Sequence, residues 1–158
     1  MGVQGKNKGN FIVGRMSSDN LNIVTVTITN AQILTLRASP ITLVTAQGAG
    51  TVVELVGGML FLDASGAVYT ESTDNLAVRY VDGSGIQVSE DIESTGFVTV
   101  ADEMATSVVA KKDAIATDAQ CVNQVLVLHN TGDGEFGGGN AANDLLVKVS
   151  YRVHASGF

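Results

Sequence analysis

The sequence predicts an all-β protein: a single-domain β-sandwich or barrel, jelly-roll-like, with a flexible N-terminal arm. Eight to ten short runs rich in Val, Ile, Leu and Thr recur along the chain, separated by Gly, Asn, Asp and Ser turn residues. Helical periodicity is nearly absent. No fixed-period repeat and no second composition zone divides the 158 residues, a length that suits one domain with a sizeable core. The expected division is an arm over residues 1–15 and a β domain over 16–158.

The elements follow in order. Residues 1–10 are rich in Gly, Lys and Asn and read as the flexible arm. IVTVTIT (23–29) is almost wholly β-branched, which fits a pleated strand. After a break at Asn30 and Ala31, ILTL (33–36) continues the β reading. Pro40, the only proline, marks a boundary before a strand ITLVT (41–45). TVVELVGGMLFLD (51–63) reads as one long strand with a bulge at Gly57 and Gly58. Shorter runs AVYT and LAVRYV follow turn residues. In the second, Leu76, Val78 and Tyr80 alternate with Ala77, Arg79 and Val81, as in a sheet with one face more buried.

Asp82 to Gly85 separates LAVRYV from IQVSEDI. Asp-Gly tolerates the backbone of a tight turn, so this is a hairpin tip. A phosphate loop would need Lys and Ser or Thr after the glycines, then a helix; Ile86, Gln87 and Val88 continue a strand instead. Asp102 to Ala110 is the best place for a helical turn, with Asp102 and Glu103 at its N-terminal end. CVNQVLVLHN and LLVKVSYRVH are the last two strands. The second is dense enough in apolar residues to predict a neighbour over its second face.

Composition excludes several function classes. Hydrophobic residues make up 45% and charged residues 16%, with a mean hydropathy of +0.25. That is apolar for a monomer and predicts burial against other subunits. No apolar run is long enough for a membrane helix, and the N-terminus carries no apolar signal core, so neither a membrane span nor a secretory signal is expected. MGVQGK opens like a myristoylation signal, but Lys6 stands where Ser or Thr is needed. Lys6, Lys8, Arg15 and Arg37 against Asp19 give the first 37 residues a net of +3. The remainder holds five basic and fifteen acidic side chains, a net of −10. An acidic body is not expected to bind nucleic acid.

Candidate chemistry is sparse. Cys121 reads as a small buried hydrophobe, with His129 eight residues along the same predicted strand and out of reach. Glu90, Asp91 and Glu93 read as an exposed acidic rim. Two distant histidines and one Cys make no zinc set. The glycine-rich loop 131–144 offers Asp133, Glu135, Asn140, Asn143 and Asp144 as oxygen ligands, and Phe136 as an isolated apolar residue. Partner contact through Phe136, a plain loop and a calcium site all stay open there. Gly14-Arg15-Met16-Ser17-Ser18 and Gly132 to Gly139 faintly resemble motifs of trimeric β-barrel dUTPases. Their order and spacing differ, Met16 interrupts the first motif, and the uridine-binding motif is not visible. No enzymatic activity, cofactor or metal is expected.

The segments LRASPITLVTAQGAGTVVELVGG, LAVRYVDGSGIQVSEDIESTGFV and GGGNAANDLLVKVSYRVH, in that order, resemble the decoration, or cement, proteins of tailed bacteriophage capsids. The resemblance covers roughly residues 30 to 154. It implies a homotrimer, made in the host cytoplasm, that sits on the outer capsid surface of the virion at three-fold or quasi-three-fold positions and clamps neighbouring major capsid proteins. On that reading Lys6, Lys8, Phe11 and Arg15 of the arm, with Phe136, are the expected capsid contacts. The alternative is a tail or surface β domain recognising a host receptor or glycan, for which a chain with no Trp and three Tyr is poorly supplied.

Overall fold

The computed structural model describes residues 20–71 and 73–157. In chain order the elements are β1 (Asn22–Thr29), α1 (Asn30–Ile33), β2 (Ile41–Val44), β3 (Thr51–Asp63), β4 (Tyr69–Thr70), β5 (Asn75–Tyr80), β6 (Ile92–Glu93), β7 (Met104–Val109), α2 (Asp118–Cys121), β8 (Leu126–Asn130), β9 (Gly137–Gly138) and β10 (Asp144–Ala155). Eight strands form two four-stranded sheets, ordered β1-β10-β3-β7 (sheet A) and β2-β8-β5-β6 (sheet B); β4 and β9 pair separately.

Every pairing is antiparallel, and the pairs nest. The innermost is β5 with β6, then β3 with β7, β2 with β8, and β1 with β10. Successive nested pairs alternate between the sheets. This is the strand order of a jelly roll, a long hairpin folded over into two sheets. The sheets remain open, with β1, β7, β2 and β6 as edges, so the fold is a sandwich and not a barrel.

The core lies between the sheets, where period-2 alternation delivers one face of each strand. Ile28, Leu60 and Val147 of sheet A and Val78, Leu126 and Leu128 of sheet B are fully buried. Each contributes about 1.5–3 kcal/mol relative to an exposed position. Tyr69 and Leu36 join them from the connections.

Local chemistry moved several elements away from expectation. Residues 33–36 form no strand: Ile33 ends a short helix and 34–36 continue as turns. Thr29 and Gln32 form a capping box, with Gln32 Oε1 accepting from the Thr29 N–H at 3.0 Å. Asp102 to Ala110 gives no helical turn: Met104–Val109 is β7, and β-branched Thr106 and Val108 face β3 partners Leu60 and Gly58. The strand expected from Cys121 begins only at Leu126. A second Thr-x-x-Gln box, Thr117 with Gln120, caps α2 over Asp118–Cys121, placing Cys121 and His129 on different elements. The β3 bulge falls beside the expected glycines: Ser150 faces Gly57 and Tyr151 faces Leu55, leaving Val56 as the extra residue.

The 82–85 turn forms as expected, but the strand expected after it does not: residues 86–91 make only the isolated bridges Arg79–Gln87 and Ser89–Ala110, and β6 is limited to Ile92–Glu93. Tyr80 N–H donates to Ile86 O at 2.9 Å, and Gly85 N–H to Asp82 O at 3.2 Å. Its entry is strained. Val81 has φ +65°, at the centre of a three-residue turn in which the Asp82 N–H donates to Tyr80 O at 2.7 Å. A left-handed conformation costs an L-residue about 1–2 kcal/mol. Replacing half-exposed Val81 by Gly should therefore stabilise the protein by about 0.5–1 kcal/mol, raising Tm by roughly 2–3 °C in a thermal melt. A lower Tm would mean that the packing of the valine outweighs the strain.

Candidate functional site

The two outer faces of the sandwich are built differently. On sheet B the outward side chains are Ala77 and Arg79 of β5 and Val127 and His129 of β8. Ala77, Val127 and His129 are nonetheless only 0%, 3% and 7% exposed. The chain roofs this face with its own loops. The 82–85 tip folds back over it, and the Arg79 guanidinium holds the tip by donating to Gly83 O, Gly85 O and Gln87 Oε1 at 3.1–3.3 Å. Gly83 lies against the His129 imidazole so closely that a Cβ there would overlap Nε2 and come 2.7 Å from Cδ2. The tip is thus a structural turn whose polar groups serve itself: Asp82 Oδ1 accepts from the Ser84 N–H and hydroxyl at 2.8 and 2.7 Å. Those bonds hold the Asp82 carboxyl below its ordinary pKa.

His129 sits in this roof with its Nδ1 reaching no hydrogen-bond partner among the described residues. Burial pushes its pKa down, and the Arg79 and Arg37 charges push the same way; an Arg37 backbone group and the Glu135 carboxylate oppose them. The neutral imidazole is therefore the form the fold holds.

The loop from 131 to 144 is also committed internally. Glu135 accepts from the backbone N–H groups of Arg37 and Ala38 at 2.9 and 2.8 Å. Asn130 braces Gly132 and Gly134, Asn140 caps Ala142, and fully buried Asn143 donates to Ala67 O at 2.8 Å. Phe136 is 3% exposed and part of the central core, so the outward partner anchor expected from the sequence is corrected to an inward one. The apolar residue that looked stranded in a polar loop is what pins that loop down. Among the described residues no group of three or more His, Cys, Asp or Glu converges as a metal site.

A cleft of about 330 Å³ opens at one end of the sandwich among Val52, Leu55, Tyr80, Val88, Lys111 and Cys121. The Tyr80 hydroxyl donates to Val53 O, and burial, with smaller effects of Cys121 and Glu54, pushes its pKa up to about 12. Burial, then the Asp118 charge, raises the Cys121 thiol, which donates to Thr117 O at 3.2 Å. Both groups stay protonated at neutral pH, which suits neither a nucleophile nor a base. Near the cleft, Glu54 Oε2 lies 2.7 Å from His154 Nε2 and 3.5 Å from Arg152 Nη1. These side chains are 40–45% exposed, so the pairs contribute about 0–1 kcal/mol each.

Sheet A carries the bare face. Its strand register sets the outward residues in four rows: Ile23, Ser150, Gly57, Val109; then Thr25, Lys148, Met59, Ser107; then Thr27, Leu146, Phe61, Ala105; and last Thr29, Asp144, Asp63, with Glu103 just ahead of β7 lining the same end. Ile23 is 69% exposed, Val109 51%, and Met59 and Phe61 37% each. The Lys148 ammonium stands over the Phe61 ring, 5.5 Å from its centre. Between the third and fourth rows lies a depression of about 590 Å³, floored by Phe61, Ala105 and Leu146 and rimmed by Asp63, Glu103 and Asp144. This face therefore exposes apolar side chains among Thr, Ser and charged residues.

Lys6, Lys8, Phe11 and Arg15 lie outside the described residues. The sequence reading did not single out the sheet A face. Its signal was the two-sided apolar stretch Met59-Leu60-Phe61-Leu62, which a single-sided antiparallel strand does not need. Compared with protein-family models, curated proteins and solved structures, the chain finds no match.

Two outcomes follow from the roofed face. Because the folded-state pKa of His129 lies below that of the unfolded chain, stability is fully present above about pH 6.5 and falls as pH drops through the folded value. Urea midpoints at pH 7 and pH 5 should show that fall, and His129→Gln should flatten it; an unchanged slope would remove His129 as the cause. Phe136→Ala should cost about 3–5 kcal/mol in the same assay. A loss under 1 kcal/mol would return Phe136 to the surface.

Proposed function

We propose that the protein is a non-enzymatic structural component of a virion, which decorates and stabilises the outer surface of a tailed-phage capsid as a trimer between major capsid proteins. One observation carries this reading: an open sheet face that exposes Ile23, Met59, Phe61 and Val109 stands on a jelly-roll body whose 82–85 and 131–144 loops are held down by their own side chains. The jelly roll is an architecture shared by viral capsid and lectin domains, which supports a shell component. A cement needs a rigid body, surface that binds neighbours and no chemistry. The segment resemblance, the high hydropathy and the charge division between residues 1–37 and the rest support the same reading.

In this mechanism each trimer contributes three modest contacts, and their avidity resists the outward pressure of packaged DNA. Lys6, Lys8 and Arg15 meet acidic capsid surface, and Phe11 with its apolar neighbours adds a strand to a capsid sheet. Tailed-phage capsids lacking the protein, heated with and without it, test the proposal. Added protein should co-sediment with the capsids and raise their disruption temperature. Deleting residues 1–15 should weaken binding by at least tenfold. Binding to intact host cells without binding to capsids would overturn it in favour of a receptor-recognition domain.

A further inference from the structure

We propose that the outer face of sheet A packs against a second copy of this chain, with Lys148 of one copy set against the acidic row of the next. The number of copies, three, rests on the proposed trimer; the surface is argued from its own chemistry. Lys148 is the one cation in the four rows, and Asp144, Asp63 and Glu103 line the end of the last. Four residues along β10 separate Lys148 from Asp144, about 13 Å at ~3.3 Å per residue. The Lys148 ammonium leans over Phe61, one row short of the carboxylates, and no ion pair joins it to them among the described residues.

A second copy supplies the missing complement to each. Its Lys148 can lay an apolar stem over Ala105 and Leu146 in the depression, beside the Phe61 ring that the receiving copy's own Lys148 covers, and place its ammonium among the carboxylates at the rim. The apolar residues Ile23, Val109, Met59 and Phe61 then leave water together. A polyanion is a poor occupant, because three carboxylates line one end of the face. The four strands and seven residue steps span roughly 400 Å², about half of the ~800 Å² that one partner buries in a standard interface. One contact is therefore weak. A ring in which each copy both gives and receives Lys148 repeats it until it closes.

Light scattering on the full chain over a range of concentrations tests the surface. The mass should rise to three times 16.3 kDa. Lys148→Glu and Glu103→Lys should each weaken association roughly tenfold or more, and the double variant should restore it, with circular dichroism confirming unchanged strand content. A monomer at every concentration, or reversals that leave the mass unchanged, overturns the proposal. Association that appears only after residues 1–15 are deleted also overturns it, assigning the face to that segment instead. A dimer dissolved by the same reversals keeps the surface and overturns the three-fold reading. A monomer that still binds capsids overturns the self-contact and leaves the decoration role standing.

Discussion

The pairing of β10 with both β1 and β3 is the constraint on which the rest of the structure depends. β1 and β3 do not touch as neighbours in sheet A; the twelve residues of β10 lie between them. Remove that strand and the inner face loses Leu145, Val147 and Val149, all at most 2% exposed. The close approach is possible because Gly58 faces Val149: a Cβ there would overlap Lys148 O and come 3.0 Å from Val149 Cα. The bulge at Val56 re-aims the first part of β3, so that Thr51 to Leu55 can follow β10 to Ala155. The β1–β10 pairs join residues more than a hundred positions apart. Their loop-closure entropy must be met before the contacts form, which places the chain among slow-folding β topologies.

From this one arrangement the two outer faces acquire opposite fates. Sheet B holds the innermost hairpin and the long connections, so its outer side is where the returning loops land. Arg79, Glu135 and Asn130 are the fasteners, each using charged or amide groups on backbone carbonyls or N–H groups. Sheet A holds the chain's long strands, β1, β3 and β10, whose ends lead away from their outer face. Nothing among the described residues comes back to cover Ile23, Met59, Phe61 or Val109. The open face is therefore a consequence of topology: the same winding that exhausts the loops on one side leaves the other side open.

The long strands were legible in the sequence because their signals agreed. IVTVTIT is β-branched throughout, and the regions 51–63 and 145–154 are bounded by turn residues. The short elements were not, because two local rules competed. At 33–36 an apolar run suggested a strand, while Thr29-x-x-Gln32 wrote a helix cap; the cap won because it satisfies backbone donors immediately. At 102–110 acidic residues suggested a helix start, and pairing with β3 overrode them. Phe136 shows a deeper limit. Loop polarity says where a segment turns, but not whether its one apolar side chain points out or in. The sheet A face failed for a related reason: alternation assigns residues to two faces, yet both faces at 59–62 are apolar, and only the register shows which one the second sheet covers.

Charge sets the terms on which such a face can work. The protein carries a formal net charge of −7, so identical copies repel at long range. At physiological salt that repulsion fades over about 8 Å, and short-range contacts decide whether two copies stay together. An all-apolar face would provide attraction without direction, and an all-acidic one direction without attraction. Here one cation stands on an aromatic ring at the centre, and three carboxylates occupy one end. Opposed charges at fixed positions specify orientation more than they add affinity. In the proposed self-contact, on a patch of roughly 400 Å², the apolar residues would supply the strength and Lys148 the register.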